Sequence, residues 1–193
     1  MADFNISREF TKTNEGGYNR ATFGSGETYK GIDRLKGGPA AKNWQGWKII
    51  DAWKSKYGIP KEESTLPIPE LDILVNKFYK DNVWNKSGTQ FINNQQLANF
   101  YYDFYFHKPA IAVAAMNDIC KQLNPNIIVN SNTVSTAVVN IVNALPGVVY
   151  SSLYKLRVLH YNNKYLNDRF RIKYKSAQKG LLARVAKFPS TLT

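Results

Sequence analysis

The chain has 193 residues, 44% of them hydrophobic, which is enough to bury the core of one domain or of a compact pair of lobes. Its formal charge of +12 suits an anionic partner, whether nucleic acid, acidic polysaccharide, bacterial wall polymer or membrane surface. A lone cysteine, Cys120, excludes an internal disulfide, and two histidines with one cysteine exclude the usual zinc patterns.

The first segment, "DFNISREFTKTN", carries Phe4, Ile6 and Phe10, with Asp3 or Asn5 as N-caps. It predicts a helix ending at Asn14 or Glu15, stopped by Gly16-Gly17. No signal peptide is read at the N-terminus, and no stretch approaches the roughly 20 apolar residues of a membrane span. Residues 16–31 hold five glycines and predict a loop with room for a small hairpin. In "NWQGWKIIDAWKSKYG", Trp44, Trp47, Ile50 and Trp53 fall near helical spacing, with Gly58-Ile59-Pro60 as the stop. "TLPIPELDILVNKFYKDNVW" opens on prolines and continues with a helical stripe of Leu71, Leu74, Val75 and Phe78, broken by "NKSG" at 85–88.

"NNQQLANFYYDFYFH" repeats the pattern with Leu97, Phe100, Tyr101 and Phe104. Pro109 suits the first turn of the next helix, whose core face is Val113, Met116, Cys120 and Leu123. "TVSTAVVNIVNAL" is β-branched, which favours a strand. Its stripe of Val134, Val138, Ile141, Val142 and Leu145 favours a helix, and over this length periodicity outranks propensity. In the last long segment, Leu156, Leu159, Leu166, Phe170 and Tyr174 form one apolar seam with basic flanks, and Gly180 marks a break before a short final helix. The fold expected is all-α, with a glycine-rich loop or small hairpin after the first helix. Two lobes are expected, 1–108 and 109–193, sharing a core because the "HKP" junction is short.

The chemistry centres on "EGGYNRATFGSGETYKGID", residues 15–33. An acid at a helix C-terminus meets the negative end of the dipole, which favours its protonated form. A carboxylic acid kept neutral can donate a proton to a departing sugar oxygen as the ring becomes oxocarbenium-like. The plainer alternative is a solvated acid at an ordinary helix end.

The stretch resembles the signature of glycoside hydrolase family 108, lysozyme-like proteins with Glu-Gly-Gly-Tyr, a variable stretch, then a glycine-rich Thr-aromatic element closing on Gly-Ile. "FYKDNVW" and "LANFYYDFYFHKPAIAVAAMNDI" resemble later parts of that family, so the likeness spans most of residues 1–145 and is specific around 15–32. It implies a lysozyme-like fold and N-acetylmuramidase activity on the β-1,4 bond of peptidoglycan. It also implies a peptidoglycan-binding lobe after the catalytic one, and no metal or organic cofactor. By the same resemblance Glu15 is the acid, while Tyr18, Glu27, Thr28 and Tyr29 shape the sugar groove or brace Glu15. The family's usual aspartate is absent from "NRATFGSG", and His107-Lys108-Pro109 replaces its usual turn. The second carboxylate is therefore open among Glu27, Asp33 and Asp103, with Glu27 first and Asp103 second. A gap of roughly 5 Å from Glu15 suits a retaining enzyme and roughly 6.5–9.5 Å an inverting one. The expected site is thus Glu15 and Glu27 for catalysis, and Tyr18, Thr28, Tyr29, Asp103 and His107 for substrate.

Lys155 to Lys187 contain ten Lys/Arg and one acid, Asp168, a basic face that would draw the protein to anionic cell-wall polymers. The chain would be made in the cytoplasm and reach the wall through a holin-type pore or lysis, in a phage or bacterial setting. Two other readings stay open. One is a non-catalytic peptidoglycan binder of the same fold. The other is a basic nucleic-acid-binding protein, for which tyrosines interleave with the charge but no motif appears.

Overall fold

A glycine pair after the first helix and a proline at the start of four others set the punctuation of this chain, and the computed structural model follows it. The structure describes residues 1–12, 15–20, 26–130, 133–164 and 178–192. Two compact units divide it, Glu9–Val83 and Met1–Arg8 with Trp84–Thr193. The division falls near residue 84, and the α-helical junction at residue 108 lies inside the second unit. Helix α1 runs Phe4–Lys12, and the Glu15 amide donates to the Lys12 carbonyl at 3.1 Å, so the acid follows the helix end directly.

In Glu9–Val83 the glycine-rich stretch folds as three short antiparallel strands in the order β1 (Tyr18–Asn19), β2 (Thr28–Tyr29), β3 (Ile32–Asp33). All-α is therefore corrected to a mostly helical fold with a small sheet. Tyr18 pairs with Tyr29, and Tyr29 with Ile32. Lys30 and Gly31 both have positive φ, 46° and 80°, the two-residue hairpin geometry whose twist matches that of the strands. On its other edge β1 bridges Ser64. This approach explains the glycine pair. A Cβ on Gly17 would overlap the Ser64 and Glu63 backbone, and one on Gly16 would overlap the Glu63 carboxylate.

Helices α2 (Gly38–Lys42), α3 (Gly46–Tyr57) and α4 (Pro69–Tyr79) complete this unit. Trp44 and Trp47 are buried, and each indole N–H donates to a carbonyl, of Leu74 and Ala41 respectively, which makes them core residues rather than sugar platforms. On α4 the wholly buried positions are Leu71, Val75 and Tyr79, one turn apart; Leu74 and Phe78 are half-buried. A π-helical turn, Lys80–Trp84, follows.

The second unit holds α5 (Asn85–Ser87), a 3-10 turn (Thr89–Phe91), α6 (Gln95–His107), α7 (Pro109–Leu123), α8 (Thr136–Ala144) and α9 (Pro146–Lys164); residues 178–185 are also helical. Asn94 and Ser135 cap α6 and α8 by accepting from the amides of Leu97 and Val138. The β-branched segment is thus a helix, as its spacing predicts. α6 packs on α7 and α9, and α7 on α8 and α9. Cys120 is fully buried on α7, where burial pushes its thiol up to about 11. α9 differs from expectation. Its buried face is Val149, Tyr150, Leu153, Arg157 and Tyr161, while Leu156 and Leu159 are 37% and 52% exposed. The seam expected through Leu156 and Leu159 was misplaced because the helix buries an arginine on its inner face. Leu166, Phe170 and Tyr174 lie outside the described residues. Among the described residues no single helix is long and apolar enough to cross a membrane.

Candidate active site around Glu15

Glu15 is half-buried. Its carboxylate lies against the Cα of Gly31, where a side chain would otherwise stand: a Cβ on Gly31 would overlap Glu15 Oε2 and come within 2.8 Å of the Tyr79 hydroxyl. The acid at the helix end and the turn of the β2–β3 hairpin are therefore one place. The Tyr79 ring is buried beneath it, and its hydroxyl donates to the Lys30 carbonyl at 2.6 Å. Lys30 extends its ammonium to Asp72 on α4, and its amide donates to the Gly17 carbonyl at 3.1 Å. Gly31 itself is exposed.

Glu27 sits in the same unit and is heavily engaged. Oε1 accepts from the Tyr18 hydroxyl and from Lys54 Nζ, both at 2.7 Å, and Oε2 from Arg34 at 2.9 Å. Arg34 also grips Asp51 through two bonds of 2.9 and 2.7 Å and stacks over Trp47. Burial alone would raise the Glu27 carboxyl, but the bonds from Lys54, Tyr18 and Arg34 outweigh it and hold the group below its ordinary value. Hydrogen bonds from Arg34 likewise take Asp51 down to about 2. Glu27 is thus a fixed anion whose acceptor sites are used. Tyr18 is 2% exposed, and burial together with Glu27 raises its phenol. Tyr29 has no exposed surface, and its hydroxyl accepts from the Leu66 amide, so it anchors the sheet to the core. Thr28 is half-buried on β2. Asp33 caps the turn after β3 by accepting from the amides of Leu35 and Lys36.

Asp103 and His107 belong to the other unit, on α6. Asp103 is wholly buried between two guanidinium groups: Arg157 bonds Oδ2 at 2.6 Å, and Arg184 spans both oxygens at 2.7–3.0 Å. Arg157 is itself fully buried, facing the rings of Phe100, Phe104 and Tyr161. Burial would raise Asp103, yet the two cations outweigh it and hold the carboxyl below its ordinary value. The side chain expected to line a sugar groove instead has no surface to offer and braces α6 against α9 and the helical residues 178–185. His107 Nδ1 shares a 2.8 Å hydrogen bond with the Tyr161 hydroxyl; burial, with Lys108, Arg184 and Arg157, drives its imidazole down to about 3, so it is neutral. Two of the ten cations counted as a basic face, Arg157 and Arg184, are thus ion-pair partners of Asp103. Arg169, Arg171, Lys173 and Lys175 lie outside the described residues.

An apolar pocket of about 550 Å³ in the second unit is lined by Phe104, Ile111, Ala115, Leu156, Leu159 and His160; none of the expected site residues borders it. Among the described residues no group of three His, Cys, Asp or Glu side chains is arranged to hold a metal ion.

Sequence reasoning missed Tyr79, Lys54, Arg34 and Asp51 as parts of this neighbourhood. Tyr79 had a signal, since it continues the Leu71–Val75 spacing by one more turn. In the Lys54–Arg34–Asp51 network only the Asp51–Lys54 pair, three residues apart on α3, is local in sequence; Arg34 and Glu27 join it through the fold.

No family model matches the chain, and no curated protein matches it. The resemblance at residues 15–32 therefore stands on those residues alone. Among solved structures, that of Brucella abortus SagA is similar, with 18% sequence identity, 96% of this chain and 94% of that chain covered, and a TM-score of 0.54. At this identity the likeness is one of fold, extending over nearly the whole of both chains.

Proposed function

We propose that the protein is a lysozyme-like hydrolase of the peptidoglycan glycan, with Glu15 as general acid. The observation that carries this reading is the placing of the Glu15 carboxyl, directly after a helix end, in the space left open by Gly31 at an exposed hairpin turn. An acid so placed is fixed by backbone geometry, partly withdrawn from water and still reachable by a polymer. It would protonate the bridging oxygen as the bond to the sugar's anomeric carbon breaks and water adds to that carbon. The +12 charge would draw the chain to anionic wall polymers, and salt would weaken that attraction.

A second reading has a specific observation in its favour. Each carboxylate nominated from sequence as a partner for Glu15 is committed elsewhere: Glu27 to three donors, Asp33 to a turn and Asp103 to the arginines 157 and 184. A peptidoglycan binder of this fold without hydrolytic activity would look the same. Clearing of purified cell walls separates the two. Under the first reading wild type clears a wall suspension, and Glu15→Gln sediments with the walls without clearing them. Wall binding by both proteins with clearing by neither establishes the second. A salt-sensitive shift of DNA or RNA with no wall affinity would reject both.

A further inference from the structure

We infer that Trp53 and Tyr57, on the last turns of α3, form a platform on which a sugar ring of an acidic glycan stacks, a second glycan contact in the unit that carries Glu15. The inference rests on the partner being wall glycan and holds for a hydrolase and a binder alike. Three of the four tryptophans, Trp44, Trp47 and Trp84, are buried. Trp53 is the exception. Helix α3 buries Trp47 and Ile50, whereas Trp53 and Tyr57, one turn apart, share a side that is only partly covered. Tyr57 is 60% exposed, and its ring meets that of Trp53 at a centroid distance of 4.4 Å and an angle of 44°. The two rings brace each other into one bent aromatic face. Side chains held in place before a ligand arrives lose little freedom when it binds.

The polar atoms around this face are donors that lack acceptors. Trp44 and Trp47 give their indole protons to carbonyls inside the unit. Among the described residues the Trp53 indole N–H and the Tyr57 hydroxyl have no hydrogen-bond partner, and no carboxylate pairs with Lys56. The Lys56 ammonium stands 5.0 Å from the centre of the Tyr57 ring. A fitting ligand therefore offers C–H groups to the rings, oxygen acceptors to the donors and negative charge to Lys56. A sugar ring meets the first two demands: its axial C–H bonds carry partial positive charge that suits the negative face of an aromatic ring, and its oxygens project from the edge. Carboxylates along an acidic glycan meet the third. Two rings of at most about 250 Å² each fall well short of the roughly 800 Å² per partner of a stable protein interface. One ammonium beside them is also too few for a nucleic acid, which carries a charge at every phosphate.

Tyr57→Ala and Trp53→Ala each remove half of the platform. Both are made in the Glu15→Gln background, so that walls stay intact, and binding is read by sedimentation with purified walls. Each variant is expected to bind about five- to tenfold more weakly than its parent. In the parent, N-acetylchitotetraose should shield the one partly exposed tryptophan from acrylamide quenching, an effect absent from Trp53→Ala. Lys56→Gln should weaken binding to walls and leave binding of the neutral tetramer unchanged. Parental wall affinity in Tyr57→Ala overturns the inference, as does quenching that the tetramer leaves unaltered; either result leaves the role of Glu15 untouched. Shielding by single-stranded DNA and not by the tetramer also overturns it, and unchanged wall binding in Lys56→Gln overturns the acidic character of the glycan. Should Trp53→Ala not fold, Tyr57→Ala and the quenching of the parent decide. Failure of the parent itself to sediment with walls is a different result, which rejects the glycan reading and this inference together.

Discussion

Replacing Asp103 by asparagine should cost the fold several kilocalories without touching a ligand. The carboxylate and Arg157 are both completely buried, and Arg184 is 11% exposed at its side chain. Two cations bond the one carboxylate. Asparagine removes the charge and sets an amide N–H₂ where a guanidinium N–H now donates, leaving Arg157 without compensation in an aromatic surround. Breaking a buried pair from one side costs about 3–5 kcal/mol. Arg184 can relax toward water, so the lower end, about 3 kcal/mol, is expected.

Urea unfolding reads this as a lower midpoint at constant slope. The sign of the pH effect follows from the depressed pKa. The unfolded chain binds the Asp103 proton more readily than the folded one, so the contribution is complete above the unfolded value, about 3.9, and fades as pH falls through the folded value. Asp103→Asn should lack that acid limb. A loss below about 1 kcal/mol, the scale of an exposed pair, would refute the reasoning. So would unaltered stability with lost wall affinity, which would return Asp103 to the ligand-contact role its sequence context suggested.

Glu27→Gln should lower stability by about 1–2 kcal/mol rather than abolish clearing outright, since the charge it removes is shared with half-exposed Arg34 and Lys54; denaturation and wall clearing on the same preparation check this, and full loss of clearing at unchanged stability would make Glu27 the second catalytic carboxylate. Gly17→Ala meets backbone atoms of Glu63 and Ser64 that no side-chain rotation can clear, and is expected to cost about 2 kcal/mol or more. Gly180→Ala, in open space within helical residues 178–185, should instead stabilise by up to about 1 kcal/mol; thermal unfolding of the pair compares them.

Helix positions were legible wherever a short-range rule governed them. Pro69, Pro109 and the caps at Asn94 and Ser135 mark starts, and the spacing of Val138 and Val142 overrode β-branched propensity in α8. The sheet was harder to read, because its strands are two residues long and are stabilised by Ser64, which is remote in sequence. The face of α9 was read wrongly for a physical reason: a hydrophobicity pattern cannot show that Arg157 is interior, because its counter-ion Asp103 sits on another helix. Within the candidate site, the acid and its glycines were visible as a motif. Which glycine serves which neighbour was not, since Glu63, Ser64 and Tyr79 arrive from later segments.

That assignment separates the acid from its scaffold. Gly16 and Gly17 make room for residues 63–64, whereas Gly31 makes room for Glu15 itself. Substitution at Gly31 should therefore disturb chemistry more than fold, provided backbone strain is controlled. Alanine adds a Cβ at φ +80°, an unfavourable angle, at a cost of about 1–2 kcal/mol. Asparagine adds the same Cβ but tolerates left-handed backbone, so it separates backbone strain from the collision with the Glu15 carboxyl and the Tyr79 hydroxyl. Gly31→Asn is expected to unfold near the wild-type temperature while clearing walls at least tenfold more slowly, as for a catalytic group displaced by about 1 Å. If Gly31→Asn clears walls at the wild-type rate, the position of the Glu15 carboxyl does not govern the reaction. The motif then fixes only the shape of the chain, and the peptidoglycan-binder reading gains.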